Sequence, residues 1–441
     1  MNAASMPPCT QVLTCSCAVL LGLLSYTHKT QAASFAAQAE VSARVGYDSN
    51  IHLQDVEPSA ASRIEAQAAG LEVLDPKVGS LVIGIQPKLS ATASPCDEFS
   101  LTTSYAPDFN SYSEDSGENH ITHRGILNLK GHLDSLTWEL PNTFIFIDGN
   151  RMAPVYGRPG DVPAIGGIPV RDRHEAFIFK NSFKATYRTG KFLIRPVATA
   201  YLHDFRTEQR QSGVSYIYEN YVDRREVAGG LDLGYTVYPD TDLILGYRFG
   251  SQEQYKLLGV DSPYDNYFHR ILFGLEGTPW PWLKLGVLLG PDIRDFQNPR
   301  LAAAVPSFDQ DELLLFIDTT MTLLPSASDS ITLFVRQYEQ PAFGGPSVYE
   351  DTTYDISWRH VFHPRFNGRL GFRAYAGDWQ GPVNREDWIF TPSVGITWKP
   401  HENISTDLSY SYDWADSRIP NTDGREFTRH LVTLGATYTF K

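Results

Sequence analysis

Residues 230–250 read GLDLGYTVYPDTDLILGYRFG. Leu231, Leu233, Tyr235 and Val237 are separated by Asp232, Gly234 and Thr236. A turn-forming Tyr238-Pro239-Asp240-Thr241 follows. Then Leu243, Leu245, Tyr247 and Phe249 are separated by Ile244, Gly246 and Arg248. A period of two on both sides of a turn predicts a hairpin with one dry face and one wet face. The dry face meets either the core of a soluble sandwich or lipid, and the rest of the chain decides between them.

The composition points away from a set of ordinary soluble domains. Among 441 residues there are 24 Phe and 23 Tyr but only 4 Cys and 4 Met, and no stretch carries a helical period. Mean hydropathy is -0.27, as fits a transmembrane barrel in which every second residue is polar. No segment after residue 32 has the ~18 consecutive apolar residues that a spanning helix needs, so a membrane would be crossed by strands. The formal charge of -14 gives no reason to expect nucleic acid as a partner.

The N-terminus supports export. Residues 12–24, VLTCSCAVLLGLL, form an apolar core, and THKTQA follows with Thr30 and Ala32 placed like the small residues before a signal-peptidase cut. The segment ahead of the core lacks the usual Lys or Arg. Residues 1–32 are read as a signal peptide and 33–441 as the mature barrel. Cleavage near Ala32 removes Cys9, Cys15 and Cys17. Cys96 is then the one cysteine of the mature chain, which rules out an internal disulfide.

The opening pattern recurs to the end of the chain. Short turn formers sit at Ser94–Asp97, Asp134–Ser135, Arg188–Gly190, Tyr238–Asp240, Thr278–Pro281, Pro325–Ala327, His363–Arg365 and Lys399–His401. They alternate with longer polar segments at 49–77, 108–119, 148–172, 206–219, 252–265, 297–310, 341–350, 379–386 and 415–424. Eight short-turn hairpins plus a strand at each terminus give about eighteen strands, an even number of the kind outer-membrane barrels show. The predicted fold is therefore all-β: a transmembrane antiparallel β-barrel with short periplasmic turns and long extracellular loops. Outer-membrane lipid is its expected surround. The last strand, RHLVTLGATYTF, places Val432, Leu434, Ala436, Tyr438 and Phe440 on one face, and its end at Phe440 is the expected handle for the barrel-assembly machinery. Trp280, Trp282 and Trp398 lie by short turns, and Tyr354, Trp388, Tyr412 and Trp414 lie toward long loops, as two membrane interfaces require.

The stretch VGYDSNIHLQ, the hairpin LGYTVYPDTDLILGYRF and the aromatic last strand together resemble the β-barrel porins of Gram-negative bacteria, in particular the group called β-barrel porin 2. The resemblance spans the mature chain. It implies an outer-membrane location and either passive diffusion or export of exopolysaccharide.

If apolar positions face lipid, the opposite phase faces the lumen. The expected basic wall is Lys88, Arg124, Lys130, Lys180, Lys184, Arg195, Arg248, Arg270, Lys284, Arg294, Arg336, Arg359, Arg369, Arg373 and Arg429. Acids of the same phase are fewer: Glu139, Glu226, Asp232, Glu276, Asp292, Asp318, Asp355 and Asp407. A basic wall favours anions. The alternative is that wall charges pair across strands, Arg248 with Asp232 or Arg359 with Asp355. The Gly/Pro-rich segment 149–174 could fold inward and narrow the lumen with Arg151, Arg158, Asp161, Arg171 and Arg173, or lie outside as a surface loop.

Catalytic and cofactor motifs are not found, and neither catalytic, cofactor-binding nor metal-binding residues are expected. The HxxH pairs His120–His123 and His360–His363 point to opposite faces of a strand. Asp413, Asp416 and Asp423 lack Ca²⁺-loop spacing. Ser49 and His52 have no visible third partner. The expected function is a passive channel for polar, anionic solutes. A conduit for an acidic exopolysaccharide and a surface adhesin or receptor remain the alternatives.

Overall fold

The computed structural model describes residues 33–53, 77–149, 175–206, 208–210, 217–219, 223–254, 261–341, 348–381, 384–417 and 426–440. The expected signal peptide, residues 1–32, and the expected constriction residues Arg151, Arg158, Asp161, Arg171 and Arg173 lie outside them, as does Asp423.

One sheet holds eighteen strands. They are β1 (Ser34–Asp48), β2 (Ser80–Cys96), β3 (Phe99–Tyr112), β4 (His120–Leu133), β5 (Leu136–Asp148), β6 (Ala176–Thr189), β7 (Phe192–Phe205), β10 (Arg224–Tyr238), β11 (Thr241–Gln254), β12 (Asn266–Trp280), β13 (Leu283–Phe296), β14 (Leu314–Ser326), β15 (Asp329–Pro341), β16 (Val348–His363), β17 (Phe366–Trp379), β18 (Arg385–His401), β19 (Ile404–Ser417) and β20 (Phe427–Phe440). Between β7 and β10, β8 (Glu208–Arg210) and β9 (Ile217–Glu219) make a separate short hairpin. All barrel pairings are antiparallel, and β20 returns to β1 from Ala39↔Phe440 to Asp48↔Leu431. The ring is closed, so no row of backbone N–H and C=O groups is left at an edge. That closure is the condition for a sheet to sit in lipid.

The opening hairpin settles which medium its dry face meets. Leu231, Leu233, Tyr235 and Val237 are 40–52 % exposed, and Leu243, Leu245, Tyr247 and Phe249 are 45–53 % exposed. Between them Asp232 and Ile244 are each 1 % exposed. The apolar phase points out of the barrel. The same skin continues around the wall through Ile83, Phe144, Ile194, Phe273, Ile293, Leu370, Val394 and Leu434. Trp280 and Trp282 stack in parallel at the short-turn rim, with ring centroids 5.3 Å apart.

The short turns mostly fall a residue or two later than the proline clusters suggest. Pro95, Pro279, Pro325 and Pro400 lie where the register slips, between Ala93/Cys96, Gly277/Trp280, Leu323/Ser326 and Trp398/His401. The two-residue turns follow them. A bulge leaves one strand position without a ladder partner, and proline, with no N–H to donate, fits such a position.

Two features break the uniform wall. First, β15 pairs with β14 only as far as Gln337↔Ile317, yet it continues with β16 to Pro341↔Val348. The outer end of this hairpin peels from β14 and leans into the lumen. Second, the loop after β13 packs against its neighbours at the long-loop end. It carries a one-turn helix, α1 (Pro299–Ala302). Phe308 then packs edge-on against both Phe296 and Tyr264, each with centroids 5.1 Å apart. The Tyr264 hydroxyl donates to the Gly381 carbonyl at 3.1 Å, which ties three outer loops together. Burial pushes the Tyr264 phenol up to about 12. It also raises the neighbouring Asp265 carboxyl, which accepts the Gln254 N–H at 2.7 Å.

Candidate functional site in the barrel lumen

Strand register fixes which side chains face inward, because directly paired residues share a face. All fifteen cations of the expected wall occupy the inward phase, opposite to the apolar skin. Their surroundings divide them into two groups.

The first group is neutralised inside the wall. Asp232 is held by Arg195 at 2.8 Å and Arg248 at 2.6 Å. Arg195 also forks onto Glu276, at 2.7 and 2.8 Å. Asp292 takes Arg270 at 2.9 Å and Arg294 at 2.7 Å. The Arg270 guanidinium lies over the rings of Phe268 and Phe316, at 4.1 and 4.6 Å. This sector, β7 to β13, is not wet as the alternation suggests. Leu193, Ile244, Phe268 and Leu272 are inward and buried with the ion pairs. Elsewhere Lys88 meets Glu40 at 3.1 Å, and Glu139 is shared by Lys184 at 3.0 Å and Lys130 at 3.9 Å. Arg373 meets Asp355 at 3.0 Å, and Arg429 meets Asp48 at 2.7 Å and Asp413 at 3.6 Å.

The peeled β15–β16 hairpin closes over the dry sector as a strap. The Gln252 amide and Arg294 both donate to the Glu339 carbonyl, at 3.3 and 3.1 Å. Arg224 on β10 bonds the Gln340 side chain, and donates to the Tyr201 hydroxyl at 3.0 Å. Gln340 in turn bonds Tyr349, at 2.9 Å, and Asp351. Buried polar groups need partners, and here the strap's partners lie on strands two, four and five places away around the ring. The lumen is thereby narrowed from one side, by a strand end.

The second group has no carboxylate within ion-pair distance among the described residues: Arg124, Lys180, Lys284, Arg336, Arg359 and Arg369. Lys180 and Arg336 rest on the rings of Tyr201 and Tyr338, and Asp318 stands opposite Arg336 in register. The expected Arg359–Asp355 pair is not formed. Asp355 lies opposite Arg373, and Arg359 lies opposite Arg369.

Several inward charges escape the sequence reading. Arg44 bonds Asp108 at 2.8 Å, and Arg188 bonds Asp242 at 2.6 Å. Arg224, the anchor of the strap, follows directly on a polar loop, so nothing in its local pattern marks it. His52 comes within 3.0 Å of Asp115, and with Glu118 it brings three donor groups within 4.8 Å of one another. The His52–Asp115 hydrogen bond accounts for that contact. Ser49 instead accepts the His430 N–H at 2.8 Å. His123 bonds the outward Tyr105 at 2.7 Å, whereas His120 is buried and bonds the Glu118 carbonyl. His360 meets Asp329, and His363 accepts from the Arg365 N–H.

No family model matches the chain, and no curated protein matches its sequence. Solved structures do match in shape. The outer membrane protein OpdK from Pseudomonas aeruginosa is 10 % identical, with a TM-score of 0.43 over 92 % of this chain and 99 % of that one. OpdG of the same organism is 9 % identical, with a TM-score of 0.42 over 92 % and 98 %. OccAB4 of Acinetobacter baumannii is 9 % identical, with a TM-score of 0.42 over 92 % and 98 %. The chain is an outer-membrane β-barrel. That conclusion stands on the closed ring and its apolar skin, which suit the outer membrane of a Gram-negative bacterium.

Proposed function

We propose that the barrel is a passive channel for small polar solutes with a preference for anions. Eighteen strands enclose more space than wall side chains fill. The strap consumes part of that space on the β10–β13 side, and the remainder runs along the opposite wall. The observation that carries the reading is the charge sorting just described. In the packed sector Asp232, Glu276 and Asp292 are consumed by Arg195, Arg248, Arg270 and Arg294, while Arg124, Lys180, Lys284, Arg359 and Arg369 stand inward without a carboxylate partner among the described residues. Among the described residues fewer inward carboxylates stand outside ion pairs: Glu226, Asp318, Asp351 and Asp407. Fixed cations in a confined water path raise the local concentration of anions. A lumen narrowed by a strap favours single solutes over a polymer, which sets passive diffusion ahead of exopolysaccharide export.

Reversal potentials under a potassium chloride gradient test this reading. The purified barrel in a planar bilayer should conduct, with a reversal potential on the chloride side. A silent protein or a cation-preferring one contradicts it.

A further inference from the structure

The wall contains two places where arginines stand directly opposite each other on neighbouring strands. In the first, Arg248 on β11 faces Arg270 on β12. Like charges in register repel, and here the fold supplies a carboxylate on each side. Asp232 lies 2.6 Å from Arg248 and Asp292 lies 2.9 Å from Arg270. In the second, Arg359 on β16 faces Arg369 on β17. The flanking positions in register are Ser330 on β15 and Gly395 on β18, and neither carries charge. Two inward rows further out, beyond Ser357 and Gly371, Asp355 is taken by Arg373. Asp407, inward on β19, leans away over β20, where a Cβ on Gly435 would come 2.6 Å from its Oδ1. Asp329 turns to the outer face, accepting from Trp358 at 2.9 Å and meeting the His360 ring at 2.8 Å.

Both arginines of this second doublet are exposed to the lumen. Arg359, but not Arg369, also lines a cavity of about 480 Å³ at the short-turn mouth, together with Ser326, Ser328, Ser330 and Asp329, whose carboxylate is engaged by Ser326, Trp358 and His360. Two arginines in register, one of them beside hydroxyl groups, suit an oxyanion, which accepts paired N–H bonds from a guanidinium fork.

We infer that Arg359 and Arg369, with the Ser330 hydroxyl beside them, form an oxyanion subsite at the periplasmic mouth that takes the carboxylate or phosphate group of a passing solute. The inference deepens the channel reading and rests on it for its role in transport. The subsite itself is tested by binding. Inorganic phosphate is titrated calorimetrically into the full barrel in detergent, alongside R359Q/R369Q, each single variant and K399Q, which alters a charge in the bulge at the short-turn end of β18. Phosphate should bind the unaltered protein and K399Q equally. It should bind the double variant at least tenfold more weakly and the single variants to an intermediate degree. The single variants decide the matter should the double one fail to fold. No binding to the unaltered protein, or equal binding by the arginine variants, overturns the subsite. Conductance separates the two proposals. A barrel that binds phosphate through these arginines but does not conduct keeps the subsite and removes the channel. An anion-selective channel whose phosphate binding survives R359Q/R369Q does the reverse.

Discussion

Two aspartates of the inner wall illustrate how differently one residue type is used. Asp292 is buried and serves Arg270 and Arg294 at once. Asp355 is partly exposed to lumen water and serves Arg373 alone, itself 59 % exposed. Removing one partner of a buried ion pair leaves charge without compensation and costs about 3–5 kcal/mol, whereas exposed pairs contribute about 0–1 kcal/mol. Asp292→Asn should therefore lower the unfolding free energy, measured by urea titration in detergent, by roughly that larger amount. Asp355→Asn should leave it nearly unchanged, and equal effects would contradict the assignment of one pair to a dry sector and the other to a wet one. The inward phase of these residues was legible from alternation alone. Their partners were not. Arg359 lies four places along the same strand as Asp355, about 13 Å away at the strand rise, and that Asp355 faces Arg373 depends on the register of β16 against β17, which a bulge between Val361 and His363 shifts by one place. A one-residue slip of that kind leaves no mark in hydropathy.

Among the elements, the strands were readable and the strap was not. Period-two alternation, turn chemistry and the alternation of short and long connections gave eighteen strands in sequence order. The prolines placed the turns slightly early, because four of them occupy bulges just before the turn. The inward lean of the β15–β16 hairpin has no such signature. It arises where β15 loses β14 beyond Gln337 and finds Arg224, Gln252 and Arg294 on β10, β11 and β13 instead. Of residues 149–174, the sequence-level candidate for a narrowing element, all but the first lie outside the described residues. If the strap limits flow, R224A/Q252A should loosen it and raise single-channel conductance without changing the strand content seen by circular dichroism. A conductance equal to that of the unaltered protein would show that the strap stands clear of the path.

For the molecule as a whole, the account depends on a skin that meets lipid and an interior that meets water. Leu245 lies near the middle of β11 and is 48 % exposed on the outer face. An arginine at the bilayer midplane of such a barrel costs about 2–4 kcal/mol, so Leu245→Arg should destabilise refolding into lipid vesicles by that order. A soluble sheet would tolerate the same change at a solvent-facing position. The most direct test scans β17 with single cysteines from Arg369 to Arg373, in a chain with Cys96 replaced by serine, after reconstitution into vesicles. Positions 369, 371 and 373 should react with a membrane-impermeant thiol reagent, while 370 and 372 should resist it and respond to a lipid-soluble quencher. Uniform labelling along the strand, or the opposite alternation, would contradict the account.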